Sequence, residues 1–375
     1  MIPVNNPDFL FRRLFNSFLL GSGLLFLSVV FASDIFAAEN STANIPRTSS
    51  PQTFEKPTLS QLLAGMGAAL NSGNFTMSMV YIHDNQIDTL RFSHLSTSTD
   101  RFDKLEHLQG TQRMVISRNG DTYLVMGKEQ IHLANDEGSP VSRWRSQLEK
   151  LAKNIHHYDI SISGLNRIAG RPTFELDFSA IQNDRYSTRL WLDAITNLPL
   201  RIDTLDKNNR IIEQILAIDL QYPANLSEVN FLIDKNLNQL TQDIQSSMPD
   251  KSSSSWKIGW LPAGYEMSVY HLNKLAEGFQ SEQWVYSDGL TSLSVFVENK
   301  KATKSKDKHM QHNNRAFIRG DTLIFDTHRD NIRITVVGDI PFKIAEKIAQ
   351  SVTAKAPVAK DSLKENLSTK KISKK

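Results

Sequence analysis

Residues 59–82 read LSQLLAGMGAALNSGNFTMSMVYI, and the hydrophobic period changes partway through this stretch. Leu59, Leu62, Leu63, Met66 and Leu70 follow the spacing of an amphipathic helix, which Asn71-Ser72-Gly73 stops. From Phe75 the period is two. Phe75, Met77, Met79 and Tyr81 form an apolar row on one side of a strand, and Thr76, Ser78, Val80 and Ile82 form a mixed row on the other. One face of the helix and one face of the strand therefore need a cover. Gly65 and Gly67 lie inside the helical stripe with no strand before them, which points to close helix packing rather than a phosphate loop.

Further strands are expected at about 87–95, 111–118, 121–126, 129–134, 158–166, 172–180, 185–193, 199–206 and 210–221. Asn119-Gly120 and Asp206-Lys207-Asn208-Asn209 supply turns. A helix is expected at about 142–155, with Trp144, Leu148, Leu151 and Ile155 on one face. Leu190 and Leu192, then Ile212, Leu216, Ile218 and Leu220, repeat the apolar side on later strands. Short strands in direct succession argue for an antiparallel meander. A long sheet with one apolar face can wrap two helices as a half-open barrel, and such a cavity suits an acyl chain. The candidate lipid-pocket residues are Phe75, Met77, Met79, Tyr81, Met114, Leu190, Leu192 and Leu216. Methionine adapts to irregular apolar ligands, and ordinary core packing is the alternative role for the same row.

The character changes between Pro223 and Ser255, where a loosely helical pattern runs into four consecutive serines. The expected organisation is a first domain over 57–222, a linker over 223–255 and a second domain over 256–354. The second domain should hold strands at 265–272, 282–287, 290–298, 315–326 and 332–337, with Ser287-Asp288-Gly289 as a hairpin turn. A closing helix starts at Pro341 and buries Ile344, Ala345, Ile348, Ala349 and Val352. The fold class is α+β, mainly antiparallel β.

At the N-terminus, Arg12 and Arg13 precede an apolar run from Phe18 to Ala32. That run is about 15 residues, whereas a membrane-spanning helix needs roughly 20. A signal peptide over 1–38 is expected, cut after Ala37 or Ala38 and followed by a flexible leader over 39–56. An uncleaved anchor, extended by Ile35 and Phe36, is the alternative. The chain has no cysteine, which excludes lipoprotein processing and structural disulfides. The net charge is only +3, and lysines crowd the tail at 355–375, which either solvates itself or touches anionic head groups.

Catalytic motifs are missing. The ten histidines show no metal-ligand spacing, with His156 and His157 expected to point apart. There is no Gly-x-Ser-x-Gly elbow, P-loop or dinucleotide fingerprint. Asp100, Asp103, Glu106, Asp193, Asp203 and Asp206 are expected on solvated strand faces and turns. Lysines do not interleave with aromatics, so nucleic acid is a poor partner. No enzyme activity, cofactor or metal is expected.

Several motifs then occur in a telling order: Leu62-Leu63-Ala64-Gly65-Met66, Trp191-Leu192-Asp193, and Leu198-Pro199-Leu200-Arg201-Ile202-Asp203. Trp260-Leu261-Pro262-Ala263-Gly264-Tyr265, the run from Tyr286 to Val295, and Val336-Val337-Gly338-Asp339-Ile340-Pro341 continue it. In this order the chain resembles the RseB/MucB family, periplasmic negative regulators of the sigma-E envelope stress response. The resemblance spans about Leu59 to Val352 and implies a LolA-like first domain joined to a smaller second one. It implies a periplasmic binding protein that holds the periplasmic domain of the membrane-bound anti-sigma-E factor and shields it from the site-1 protease. Mislocalised lipid or lipopolysaccharide would displace it, and a homo-oligomer is left open. Within that frame, Trp284, Tyr286, Asp288 and Leu290 are the candidate partner-binding residues, since aromatics beside a tight turn make good anchors. Core packing is the other role for Trp284 and Tyr286. The alternative function is a LolA-type lipid or lipoprotein carrier, and a third is an envelope lipid hydrolase.

Overall fold

The computed structural model describes residues 56–119, 121–133, 150–234, 236–240, 254–274, 280–299, 314–329 and 332–355. The expected signal peptide, the leader up to residue 55, Trp144, Leu148 and the tail beyond Lys355 lie outside the described residues.

Helix α1 (Leu59–Ser72) starts on a capping box. The Gln61 N–H donates to the Thr58 hydroxyl at 3.2 Å, and the Thr58 N–H donates to Gln61 Oε1 at 2.8 Å. Its inner face buries Leu62 and Met66. Gly65 is a point of close approach: a Cβ there would sit 2.6 Å from the side-chain nitrogen of Asn197. The expected tight helix packing is therefore made against a strand turn.

The first domain is built on β1 (Phe75–His83), β2 (Gln86–Ser96), β3 (Arg101–His107), β4 (Arg113–Arg118), β5 (Asp121–Met126) and β6 (Glu129–Leu133). After the helical residues 150–154 come β7 (Tyr158–Ile168), β8 (Arg171–Ala180), β9 (Ser187–Asp193), β10 (Pro199–Leu205), β11 (Ile211–Gln221) and β12 (Asn238–Leu240). They form one twelve-stranded sheet in the order β12-β6-β5-β4-β3-β2-β1-β11-β10-β9-β8-β7. The sheet does not close, and every pairing is antiparallel except the parallel contact of β12 with β6. Helix α1 and Leu151 cover one face, packing with Phe75, Met77, Met79, Phe92, Leu176, Leu192 and Leu200. On the opposite face Leu95, Phe102 and Ile116 lie against Phe231.

Four expectations are corrected. Strand β3 was not expected, because Asp103, Lys104 and Glu106 interrupt its apolar pattern, and Phe102 and Leu105 serve opposite faces. The linker does not begin at Pro223: a 3₁₀ turn at Glu228–Phe231 buries Phe231, and β12 rejoins the sheet. The single strand expected at 315–326 is two, β17 (Arg315–Arg319) and β18 (Thr322–Arg329), split where Gly320 takes φ +61°. On β11 the row facing α1 is Ile215 and Ala217, joined by Leu220, whereas Leu216 pairs with Val80 and Arg201 on the other face. The cause is a register shift between Ser78 and Met79, which pair with Asp219 and Ala217 and leave Ile218 outside the ladder, 55% exposed.

The second domain opens with β13 (Trp256–Ile258), which pairs with β20 (Val352–Ala354). Its main sheet has β14 (Glu266–Lys274), β15 (Gln280–Ser287), β16 (Ser292–Asn299), β17, β18 and β19 (Ile332–Gly338) in the antiparallel order β14-β15-β16-β19-β18-β17. Helix α2 (Phe342–Ser351), preceded by Pro341, buries Ala345, Ile348 and Ala349 in this domain's core.

The register of β11 carries a direct test. Ile215→Ala should cost about 2–5 kcal/mol in urea unfolding, as for a truncated core side chain. Ile218→Ala, at the exposed register shift of the same strand, should stay within about 0.5 kcal/mol of the parent. Equal losses would contradict the shifted register.

Candidate functional site

The apolar row and the seam between the domains are the two places where the expected site residues gather. Phe75, Met77, Met79, Leu190 and Leu192 belong to one buried cluster beneath α1. Tyr81 continues that row toward the second domain, and its hydroxyl donates to Glu213 Oε2 at 2.7 Å. The structure does not bring Met114 or Leu216 to them. Met114 packs beside Ile116, Phe231, Leu226 and Ile233 on the opposite face of the sheet. The strand alternation explains both, since each pairs with residues of the outward-facing rows.

The four candidate partner-binding residues have a partner within the chain. Trp284 and Tyr286 sit in the second domain's core, with the Trp284 ring 5.4 Å from that of Tyr270. Asp288 is fully buried, and its Oδ2 accepts from Arg185 Nη1 at 2.6 Å and from the Tyr158 hydroxyl at 2.7 Å. Its Oδ1 accepts from the N–H groups of Leu290 and Thr291 at 3.0 and 2.8 Å, which holds the turn. Leu290 packs against the first domain's core. Arg185 also donates to the Ala263 carbonyl and lies over the rings of Tyr158 and Tyr265, at 5.7 and 5.2 Å. Burial, followed by the Asp288 charge, pushes both tyrosine hydroxyls well above their usual range.

The β17–β18 turn makes a second polar contact across the seam. Gly320 N donates to Asp84 Oδ2 at 2.9 Å, Asp321 N to Glu213 Oε2 at 3.4 Å, and the Thr204 hydroxyl to Asp321 Oδ2 at 3.2 Å. A Cβ at Gly320 would lie 2.5 Å from Glu213 Oε2, so only glycine allows this approach. Asp339, at the end of β19, accepts from the Ser292 hydroxyl at 3.3 Å. Burial first, and the charge of Asp321 second, push Glu213 and Asp339 well above the usual carboxylate range, and burial raises Asp321 as well.

Other polar expectations change too. The His156 and His157 rings lie 4.1 Å apart instead of diverging. Asp193 and Asp203 are fully buried rather than solvated, held by Arg171 and Arg201 at 2.5 and 2.6 Å. Asp103 takes a hydrogen bond with His94 at 2.8 Å. Among the described residues no three His, Asp or Glu side chains assemble as a metal site. Sequence reasoning missed Tyr158, Arg185, Glu213 and Asp321. The one local signal was the Ser287-Asp288-Gly289 turn, whose aspartate fixes the backbone and still has an oxygen to offer elsewhere.

Residues 58–234 match the family model described as the MucB/RseB N-terminal domain, and residues 250–353 match the MucB/RseB C-terminal domain. The sigma-E factor regulatory protein RseB of Salmonella typhimurium is 30% identical over 308 residues, covering 80% of this chain and 92% of that protein. The sigma factor AlgU regulatory protein MucB of Pseudomonas aeruginosa is 25% identical over 312 residues, covering 80% and 92%. Among solved structures, MucB in complex with MucA(peri) matches with a TM-score of 0.63 at 22% identity, over 80% of this chain and all (100%) of that one. MucB alone matches with a TM-score of 0.54 at 21% identity, over 79% and 98%. At these identities the structural likeness is one of fold.

The seam makes its own prediction. Arg185→Leu leaves the Asp288 carboxylate buried without its cation and should cost about 3–5 kcal/mol of stability. Tyr158→Phe removes one hydrogen bond to a charged group and should cost about 1.5–3 kcal/mol. Chemical denaturation of the two variants checks the order, and a Tyr158→Phe loss at or above that of Arg185→Leu would contradict it.

Proposed function

The chain belongs to the MucB/RseB family, and from that membership we propose that it is a periplasmic regulatory binding protein of the sigma-E response. Its partner is the periplasmic domain of the membrane-bound anti-sigma-E factor, which it shields from site-1 protease cleavage. Its work is binding rather than catalysis. The observation that carries the reading is that both family domains are matched, in order, over residues 58–234 and 250–353. Support for the partner class comes from the solved MucB relative, which is in complex with MucA(peri).

Release on sensing mislocalised lipid or lipopolysaccharide then requires linkage. A lipid lowers partner affinity only by binding better to a conformation that holds the partner less well. The apolar row of Phe75, Met77, Met79, Leu190 and Leu192 is a candidate lipid surface, and α1 covers it with Leu62 and Met66. An acyl chain reaching that row has to displace α1. The contribution of Trp284, Tyr286, Asp288 and Leu290 to partner binding is indirect: they hold the β15–β16 hairpin and set the angle between the domains.

Retention of the anti-sigma periplasmic domain by the mature chain, measured by pull-down and calorimetry, is the test. The reading expects binding at micromolar concentrations or tighter, and a fall in retention when lipopolysaccharide is added. No retention at micromolar concentrations would overturn the partner. Retention indifferent to added lipid would overturn the sensing step alone.

A further inference from the structure

Three carboxyl groups converge on the seam where the β17–β18 turn meets the first domain. Glu213 comes from β11, Asp321 from the turn and Asp339 from the end of β19, with exposures of 3%, 1% and 1%. Among the described residues, none of the three forms an ion pair with Lys, Arg or His. The contrast with Asp288, matched by Arg185 at the same seam, is direct.

We propose that this contact is a proton-dependent latch. Glu213 of the first domain and Asp321 of the second share a proton across the seam, the domains stay docked while it is bound, and its loss opens them. Two carboxylates facing each other in a dry interface cannot both be ionised, since each disfavours the other's charge and burial disfavours both. The donors present satisfy a partly protonated pair: Tyr81 and the Asp321 N–H serve Glu213 Oε2, Thr204 serves Asp321 Oδ2, and Thr322 serves Asp321 Oδ1 at 3.3 Å. Undocking returns both groups to water and to the ordinary carboxylate range near about 4.

The sign follows from burial raising these groups in the docked state. Docking is strongest below the ordinary carboxylate range and weakens as pH rises from there through the raised values. In that window the open-to-closed ratio grows about tenfold per pH unit for each proton released. Other titratable and charged groups face the cluster. Strand β1 contributes Tyr81 and His83, the β1–β2 turn Asp84, the end of β10 Asp206, the segment before β9 Tyr186, and β17 Arg319. Burial, with the charges of Asp321, Asp339 and Asp206, pushes the Tyr186 hydroxyl up to about 12. Arg319 acts on Tyr81. His83 stands opposite Glu213 in the β1–β11 ladder, so a variant lacking this imidazole is the control.

The chain has no cysteine, so Lys207→Cys with Lys343→Cys accepts a donor and acceptor dye, one in each domain. Energy transfer is read from about pH 5 to about pH 9, a range lying above the ordinary carboxylate value. The latch expects transfer to fall as pH rises in the parent and in His83→Gln. Glu213→Gln keeps the acceptor for Tyr81 but cannot ionise, so its transfer should stay high throughout, and Asp321→Asn is the second variant expected to do so. Transfer independent of pH in the parent overturns the proposal. So does a parent-like fall in both amide variants, or a fall that disappears only in His83→Gln.

Discussion

The pairing of β1 with β11 is the constraint on which the rest of the structure depends. It joins two runs of strands that are otherwise local meanders, and it brings Tyr81 to Glu213 across 132 positions of sequence. Closing so long a loop is entropically costly, and the burial of Phe75, Met77, Met79, Ile215 and Ala217 beneath α1 offsets it. The same ladder decides the chemistry at its far end. His83 stands opposite Glu213, so the last inward position of β11 is a carboxyl group aimed at the second domain rather than another core side chain.

The seam holds buried carboxyl groups in two different ways. Asp288 is ionically matched by Arg185 and hydrogen-bonded by Tyr158. A buried pair of this kind adds little net stability over an apolar contact of the same size, but losing either member is expensive. It therefore penalises a misaligned joint more than it strengthens an aligned one. Glu213 and Asp321 have hydroxyl and backbone donors only, so their tolerance of burial depends on protonation. A pure apolar seam would slide; a seam of short, directional polar contacts does not.

Much of the fold was legible because half-buried strands alternate. Strands such as β8, with Phe174, Leu176 and Phe178 on one face, announce themselves. Strand β3 does not, since its outward positions are charged and its two apolar residues face opposite ways. The split at Gly320 was hidden because Phe317-Ile318 and Leu323-Ile324 make apolar runs on either side of the short Arg319-Gly320-Asp321-Thr322 step, and a positive φ leaves no mark beyond the residue type. Site residues divided along the same line. Phe75, Met77 and Met79 were placed together by period two, while Met114 and Leu216 were misplaced because period alone does not register one strand against another. Arg185, Glu213 and Asp321 were invisible: each is a single polar residue whose role depends on a partner more than 100 positions away.

Among the described residues, the polar contacts across the seam come from one end of the second domain's sheet. The β15–β16 and β17–β18 turns, the start of β14 and the end of β19 meet there because antiparallel pairing brings alternate turns to the same side. Leu290 packs on the first domain's core, and the other contacts of these turns are directional polar bonds. In the proposed scheme a ligand beneath α1 presses on Met79 and Ala217, and two residues further along the same ladder lie Tyr81 and Ile215, next to Glu213. A disturbance of the apolar row thus reaches the polar seam along a single strand pair. In that scheme no separate relay is needed between a ligand under α1 and the way the domains are held.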